Sequence, residues 1–347
     1  VTIRVALVGL GVAAKSIWLP QLADHPAFEL TAVVDPDHAA RDGLDSGRLG
    51  VSSGIAVLTP SEVDLAVVAA PNHLHCELAC ALLAKGIPTF VEKPICLSTA
   101  EADRLRQAER DGGTVLLGGS AARYRADIRA LYEVAGRLGR IRHVDLGWVR
   151  AGGVPGGWFT QRGLSGGGAL IDLGWHLLDT VSPLLGGSAV AQAAGTLSAD
   201  FLHDERHRVT WRADLGGGTL GDVEDTARGF LVTEDGVSVS LRAGWASHEP
   251  VDTTTIRVEG SEGTATLSCT FGFSTDRVGG PVLTHLRGGK SERVPVAAEP
   301  IGAEYRRQLD LIPDRLADPT CRGQAIQDAA WTVDAIERCY ASAAVYV

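Results

Sequence analysis

Along residues 1–120, short β-rich apolar runs at 3–8, 30–34, 65–69, 89–91 and 115–117 alternate with stretches of helical spacing at 14–23, 39–48, 75–84 and 99–110. Ser98 and Glu101 are spaced as a capping box at the start of the last helix. Strand and helix in strict alternation predict a parallel sheet covered by helices on both faces. After Gly119 the rhythm changes. A helix is expected over 126–136 and a strand over 141–149, followed by a glycine-rich loop at 151–168 and a helix over 169–185. From 190 to 300 the chain is alternating β segments with turn signals, as in 254–259, then Gly260-Ser261-Glu262-Gly263, then 264–268. That pattern predicts a mainly antiparallel sheet. Helical spacing returns at 305–316 and 324–344, and no internal repeat or low-complexity linker interrupts the chain. The expected organisation is an α/β domain over 1–120 and an α+β domain over 121–347, built on a mainly antiparallel open sheet, with the C-terminal helices free to pack back on the first domain.

Composition narrows the function classes. Apolar residues at 45% and charged residues at 21% describe an ordinary globular chain and exclude extensive disorder. No apolar run approaches the roughly 18 residues of a membrane span, so no membrane partner is expected. A formal charge of −10 without a basic cluster would repel a nucleic-acid backbone, and no nucleic-acid partner is expected. The cysteines lack the regular spacing of a secreted disulfide framework, which points to a reducing cytoplasm. Arg4 followed by the apolar run 5–14 has the alternative look of a secretory leader, but the same residues read as the first strand and turn of a nucleotide-binding fold.

That turn is Gly9-Leu10-Gly11-Val12-Ala13-Ala14, a GxGxxA pattern between strand and helix. Glycines there allow a tight turn and close approach of a pyrophosphate, whose charge the amides and dipole of the helix N-terminus meet. Asp35 stands 24 residues after Gly11, at the end of the second strand, where a carboxylate can accept hydrogen bonds from the adenosine ribose. It would repel a 2′-phosphate, and no arginine follows before Arg41, so NAD(H) is favoured over NADP(H). Taken alone, Asp35-Pro36 reads equally as an ordinary turn. Strand, glycine turn and carboxylate together predict a Rossmann dinucleotide-binding domain.

Three further motifs follow: Ala70-Pro71-Asn72-His73-Leu74-His75, Val91-Glu92-Lys93-Pro94, and Gly166-Gly167-Gly168-Ala169-Leu170-Ile171-Asp172-Leu173-Gly174-Trp175-His176-Leu177-Leu178-Asp179. In this order they resemble the Gfo/Idh/MocA oxidoreductases, and the resemblance extends over nearly the whole chain. It implies that Pro71, Asn72 and His75 line the nicotinamide side of the cofactor site, with Glu92, Lys93 and Pro94 contributing there too. It also implies that Lys93 is the active-site lysine and that Asp172 and His176 are the catalytic pair. Physical reasoning agrees, since residues four apart on a helix share a face. The glycines ahead of them would leave room for a ligand, and Asp179 would add a third polar group. The plain alternatives are that the Asp–His pair only supports its helix and that Lys93 is a solvated strand end. Lys93 is, however, one of four lysines among 32 basic residues.

By resemblance the enzyme is an NAD(P)-dependent oxidoreductase that moves hydride between nicotinamide and a secondary alcohol or ketone of a sugar, cyclitol or sugar nucleotide, as a homodimer or homotetramer. A cofactor-binding sensor without turnover is the alternative. Arg123, Tyr124, Trp158, Gln161, Arg162 and Asp179 could contact a polyol, although Trp158 reads equally as core. No metal is expected. Cys76 and Cys80, one helical turn apart beside His73 and His75, read as buried thiols, and His203 and His207 lack the glutamate of a zinc-protease motif.

Overall fold

The computed structural model describes residues 2–44, 49–209 and 221–343. The chain divides into two compact units, Val1–Ser120 with Tyr305–Ala330, and Ala121–Glu304 with Trp331–Val347.

The first unit holds six parallel strands: β1 (Ile3–Val8), β2 (Phe28–Val34), β3 (Gly50–Ser52), β4 (Leu65–Val68), β5 (Thr89–Val91) and β6 (Leu116–Gly118). Their order, β3-β2-β1-β4-β5-β6, reverses direction between β1 and β4. In a doubly wound sheet, ligands bind beyond the carboxyl ends of the strands at such a switch point. Val5 to Val8 and all of β4 are buried, as continuous apolar runs must be when helices cover both faces. Trp18, Leu22, Phe28, Phe90, Leu309 and Ile312 complete that core.

Local chemistry sets the element ends. Ser98 Oγ accepts from the Glu101 amide at 3.1 Å, Glu101 Oε2 accepts from the Leu97 amide at 2.7 Å, and Gly113 at φ +60° stops the helix Thr99–Gly112. The helix expected over 39–48 is a single turn, His38–Arg41, capped by the Asp37 side chain; residues 45–48 lie outside the described residues. The strand β3 escaped the sequence reading because its three residues carry no apolar alternation. Lys85 donates to the carbonyls of Ile55, Ala56 and Leu58 at 2.8, 2.9 and 3.1 Å, which satisfies the end of the short turn Ile55–Val57.

The second unit holds β7 (Ile141–Val149), β8 (Val190–Ser198), β9 (Thr226–Thr233), β10 (Ser238–Gly244), β11 (Thr253–Gly260), β12 (Thr264–Cys269), β13 (Val282–Arg287) and β14 (Lys290–Val294). They form one sheet ordered β14-β13-β12-β11-β7-β10-β9-β8. Every pairing is antiparallel except that of β7 with β10. Alternate residues of β11 and β12 are buried, the period-2 signature of a sheet packed on one face. The helix Ala126–Ala135 packs on β12 and β13, and the helical segment 170–181 packs on β7 and β10. Among the described residues no helix is long and apolar enough to cross a membrane.

Candidate active site

At the switch point Gly9 follows β1 with φ +92°, and a Cβ there would lie 2.7 Å from the Ala69 carbonyl oxygen. Only glycine fits. At Gly11 a Cβ would meet nothing within 4 Å, so the fold itself makes no steric demand for glycine there. Asp35 Oδ2 accepts from the Leu10 amide at 2.7 Å, and its Oδ1 accepts from the Asp37 amide at 2.8 Å. The acidic end of β2 is thereby tied to the glycine turn.

The helix after the turn contains a widened π turn, Ala14–Trp18, before continuing as Leu19–Asp24. Pro20 has no amide for the Ser16 carbonyl, and a widened turn relieves the clash that a proline ring makes with the turn before it. The rearrangement seats Ala14 and Trp18 in the core. Glycines at 9 and 11, a helix N-terminus and a carboxylate on the neighbouring strand fit a dinucleotide: amides for the pyrophosphate, Asp35 for the ribose. Gly9, Leu10, Gly11, Val12, Ala13, Ala14 and Asp35 therefore come together as one turn.

Beyond β4 and β5 the motif residues divide by burial. Asn72 is buried in the short turn Asn72–Leu74, which Pro71 precedes and His75 follows. His75 is enclosed, with Nδ1 2.7 Å from the Pro94 carbonyl oxygen and Nε2 2.8 Å from that of Ala70. Both ring nitrogens face backbone carbonyls, to one of which a neutral imidazole donates, and the ring joins the loop after β4 to the turn after β5. Burial holds its pKa down.

Glu92 also points inward. Its Oε1 accepts from the Trp18 indole at 3.0 Å and its Oε2 from the Lys93 amide at 2.8 Å, while burial pushes its pKa up. Pro94, joined to Lys93 by a cis peptide, is buried, and Lys93 is the half-buried member of the Glu-Lys-Pro motif.

In the second unit, Asp172 and His176 are the two residues between Ala169 and Val181 that are not buried. A segment otherwise committed to the core thus presents one carboxylate and one imidazole. Asp172 lies in a π turn, Leu170–Gly174, where its Oδ2 accepts from the Trp245 indole at 2.9 Å. The His176 ring lies 5.5 Å from that of Trp148, which packs edge-on to Phe271 at 5.4 Å. Glu224, buried, accepts from the amides of Gly168 and Leu170 at 3.0 Å each and from the Tyr340 hydroxyl at 2.8 Å. Burial raises the pKa of both Glu224 and Tyr340.

The glycines before Asp172 turn out to serve packing. A Cβ on Gly167 would lie 2.0 Å from the Tyr340 hydroxyl, and one on Gly168 would lie 1.8 Å from the Glu224 carbonyl oxygen. The room expected for a ligand is filled by these two residues.

The residues expected to contact a polyol are differently placed. Arg123 is engaged with Asp179, donating to its Oδ1 at 2.7 Å and to its carbonyl at 2.9 Å, and with Ser182 Oγ at 2.9 Å. Both members of this ion pair are largely buried, an arrangement that braces the helix Trp175–Val181. The Arg162 guanidinium lies 5.3 Å over the Tyr340 ring and 3.5 Å from Glu224. Trp158 stacks on Phe159 at 4.0 Å, the Gln161 carbonyl accepts from Ser165 Oγ at 2.9 Å, and Tyr124 is half-buried at the end of a short turn. Among the described residues no cluster of three or more His, Cys, Asp or Glu is arranged for a metal. Cys76 and Cys80 are free thiols 3.9 Å apart, and His207 packs against Phe201 at 4.8 Å. Sequence reasoning missed Trp245, Glu224 and Tyr340. Glu224 lies in a Val-Glu-Asp-Thr-Ala segment whose spacing announces none of its partners.

Comparison with known proteins bears on both units. Residues 3–119 match an oxidoreductase family with an NAD-binding Rossmann fold, Gfo/Idh/MocA, and residues 126–266 match the C-terminal domain of the same proteins. The chain is 55% identical over 345 residues, 99% of its length and 96% of the relative's, to a putative UDP-kanosamine synthase oxidoreductase subunit of Amycolatopsis mediterranei. It is 32% identical over 253 residues to the D-glucoside 3-dehydrogenase of Escherichia coli, covering 69% of this chain and 72% of that one. Among solved structures, GenD2 from gentamicin A biosynthesis, in complex with NAD, superposes with a TM-score of 0.77 at 26% identity, over 100% of this chain and 95% of that one. KijD10, a 3-ketoreductase from Actinomadura kijaniata in complex with NADP and TDP-benzene, shares the fold with a TM-score of 0.76 at 21% identity, over 99% and 98% of the two chains.

Proposed function

The chain belongs to the Gfo/Idh/MocA oxidoreductases, and on that premise we propose that it oxidises a secondary hydroxyl on the sugar ring of a sugar nucleotide, with NAD+ as acceptor, or runs the reverse reduction. The observation that carries the reading is the emergence of Asp172 and His176, alone, from a buried helical segment. Leaving two polar groups half-buried there gains the core nothing, whereas a carboxylate and an imidazole at i,i+4 suit proton transfer. The sugar-nucleotide class is supported by the 55% identical relative, whose name specifies a UDP sugar.

The nicotinamide, when bound, supplies or accepts the hydride. His176 takes the proton from the hydroxyl, a task for a side chain titrating near neutrality. Asp172 sets the orientation of the imidazole. Lys93 supplies the cation that offsets alkoxide character as it develops. Asp35, Leu10 and Gly11 hold the adenosine and pyrophosphate end, and Asp35 disfavours a 2′-phosphate. Glu92 and His75 hold the backbone around Lys93.

The test is cofactor reduction on a panel of UDP-glucose, dTDP-glucose, methyl glucoside and myo-inositol, each with NAD+ and NADP+. Turnover of UDP-glucose with NAD+ is expected. Turnover confined to free polyols or glycosides would replace the substrate class, and bound cofactor with no turnover of any compound would return the sensor reading.

A further inference from the structure

The Asp172 side chain is held by a group outside the three family motifs. We propose that Trp245 is a positioning residue for hydride transfer, fixing through its indole N–H the orientation of Asp172; the proposal rests on the reading of Asp172 and His176 as the proton-handling pair. The indole Nε1 donates to Asp172 Oδ2 at 2.9 Å, and Trp245 is fully buried. A carboxylate on a helix has soft side-chain torsions, and here it sits in a π turn. With Oδ2 engaged by a rigid buried donor, the plane of the carboxylate is set.

The hairpin of β9 and β10 explains why this donor is so firmly placed. Thr226 at the start of β9 pairs with Gly244 at the end of β10. Glu224 and Asp225 therefore leave the sheet beside Trp245, whose amide donates to the Asp225 carbonyl at 2.8 Å. From this one end of the hairpin, Glu224 accepts the amides of Gly168 and Leu170 while Trp245 engages Asp172. Residues 168, 170 and 172 are held in sequence by a single frame. A buried indole N–H needs an acceptor wherever it lies, and the choice of acceptor is what distinguishes Trp245. Here that acceptor is the half-buried Asp172 carboxylate, which ties the indole to this residue in particular.

The test is a double-mutant cycle with the panel compound that the wild-type enzyme turns over. Trp245→Phe keeps most of the buried ring and removes the donor; it should lower kcat about tenfold, on the scale of one lost hydrogen bond to a charged group, and leave KM and NAD affinity nearly unchanged. In an Asp172→Ala background the same substitution should have no further effect on kcat, since the acceptor is already gone. A wild-type kcat for Trp245→Phe would overturn the proposal, and so would an equal loss in both backgrounds, which marks a general packing defect. Full activity in His176→Ala would instead remove the underlying reading. Should Trp245→Phe fail to fold, the assigned indole N–H resonance of Trp245 decides: an upfield shift in Asp172→Ala supports the hydrogen bond, and an unchanged resonance overturns it.

Discussion

The Leu10 amide donates to Asp35 Oδ2 across 2.7 Å, so the residue that would read the ribose also holds the turn that would cradle the pyrophosphate. Two recognition elements from different strands are mechanically one. A change at Asp35 will therefore be felt at both ends of the adenosine diphosphate.

NAD(H) should bind at least several-fold more tightly than NADP(H), because a 2′-phosphate would face the Asp35 carboxylate. Asp35→Ser should weaken NAD binding by about tenfold and narrow the gap between the cofactors. Calorimetric titration checks this. Equal affinities in the wild type would point to Arg41, whose Nε contacts the Asp37 carbonyl at 3.3 Å, turning onto the 2′-phosphate.

The two glycines of the turn should respond oppositely to alanine. Gly9→Ala forces a Cβ against Ala69 at positive φ and should cost roughly 2 kcal/mol or more of stability. Gly11→Ala meets no protein atom and should leave stability within about 0.5 kcal/mol while weakening cofactor binding. Thermal unfolding with and without NAD separates the two effects. A Gly11→Ala protein with undiminished NAD affinity would mean that the pyrophosphate lies elsewhere.

His176→Ala and Lys93→Ala should each lower kcat by roughly 10²-fold or more, the scale of a lost acid–base group. The double substitution should fall far short of the product of the two, because both residues serve one step. Binding of AMP should survive both changes. Near wild-type turnover in both single variants would remove these residues from the mechanism.

Glu224→Gln should change how stability depends on pH. Burial raises the Glu224 pKa above its ordinary value of 4.5, so the folded state binds its proton more tightly than the unfolded state does. This contribution is complete below about pH 4.5 and is lost as pH rises through the raised folded value. Relative to Glu224→Gln, the wild type should lose stability as pH climbs from acid towards neutral. Parallel melting curves across that range would show that Glu224 ionises in the folded state as it does in water.

Periodicity and turn chemistry made the doubly wound unit legible from the chain, since β1, β4 and β5 are dense apolar runs and Gly9 and Gly11 sit where strand meets helix. β7 was readable to the residue because Val144, Leu146 and Trp148 alternate with polar or small neighbours. Long-range pairing was not readable. The strand β3 is too short for a pattern, and both π turns arise from context that local propensity does not encode. The same holds at the candidate site: Asp172 and His176 are four apart in sequence, but Trp245 and Glu224 reach that segment from 73 and 54 residues away, through bonds to Asp172 and Leu170. The glycines at 167 and 168 misled for the same reason, because Tyr340 and Glu224, which demand the space at 167 and 168 respectively, lie far along the chain.

The parallel pairing of β7 with β10 joins His143 to Ser238 in the middle of the sheet. A tight turn cannot make that connection; the chain must leave the sheet after Val149 and travel through Asp172 and His176 before it returns. The candidate chemistry therefore rides on the connection between β7, which β11 also holds, and the β8–β9–β10 strands, and the β7–β10 pair is the one that joins the two sets. Hairpins such as β11–β12 can form early from neighbours in sequence, whereas this closure carries the entropy of a long loop. During folding, the proton-handling residues should accordingly be among the last groups to reach their places, and activity should recover later than the bulk of the β structure.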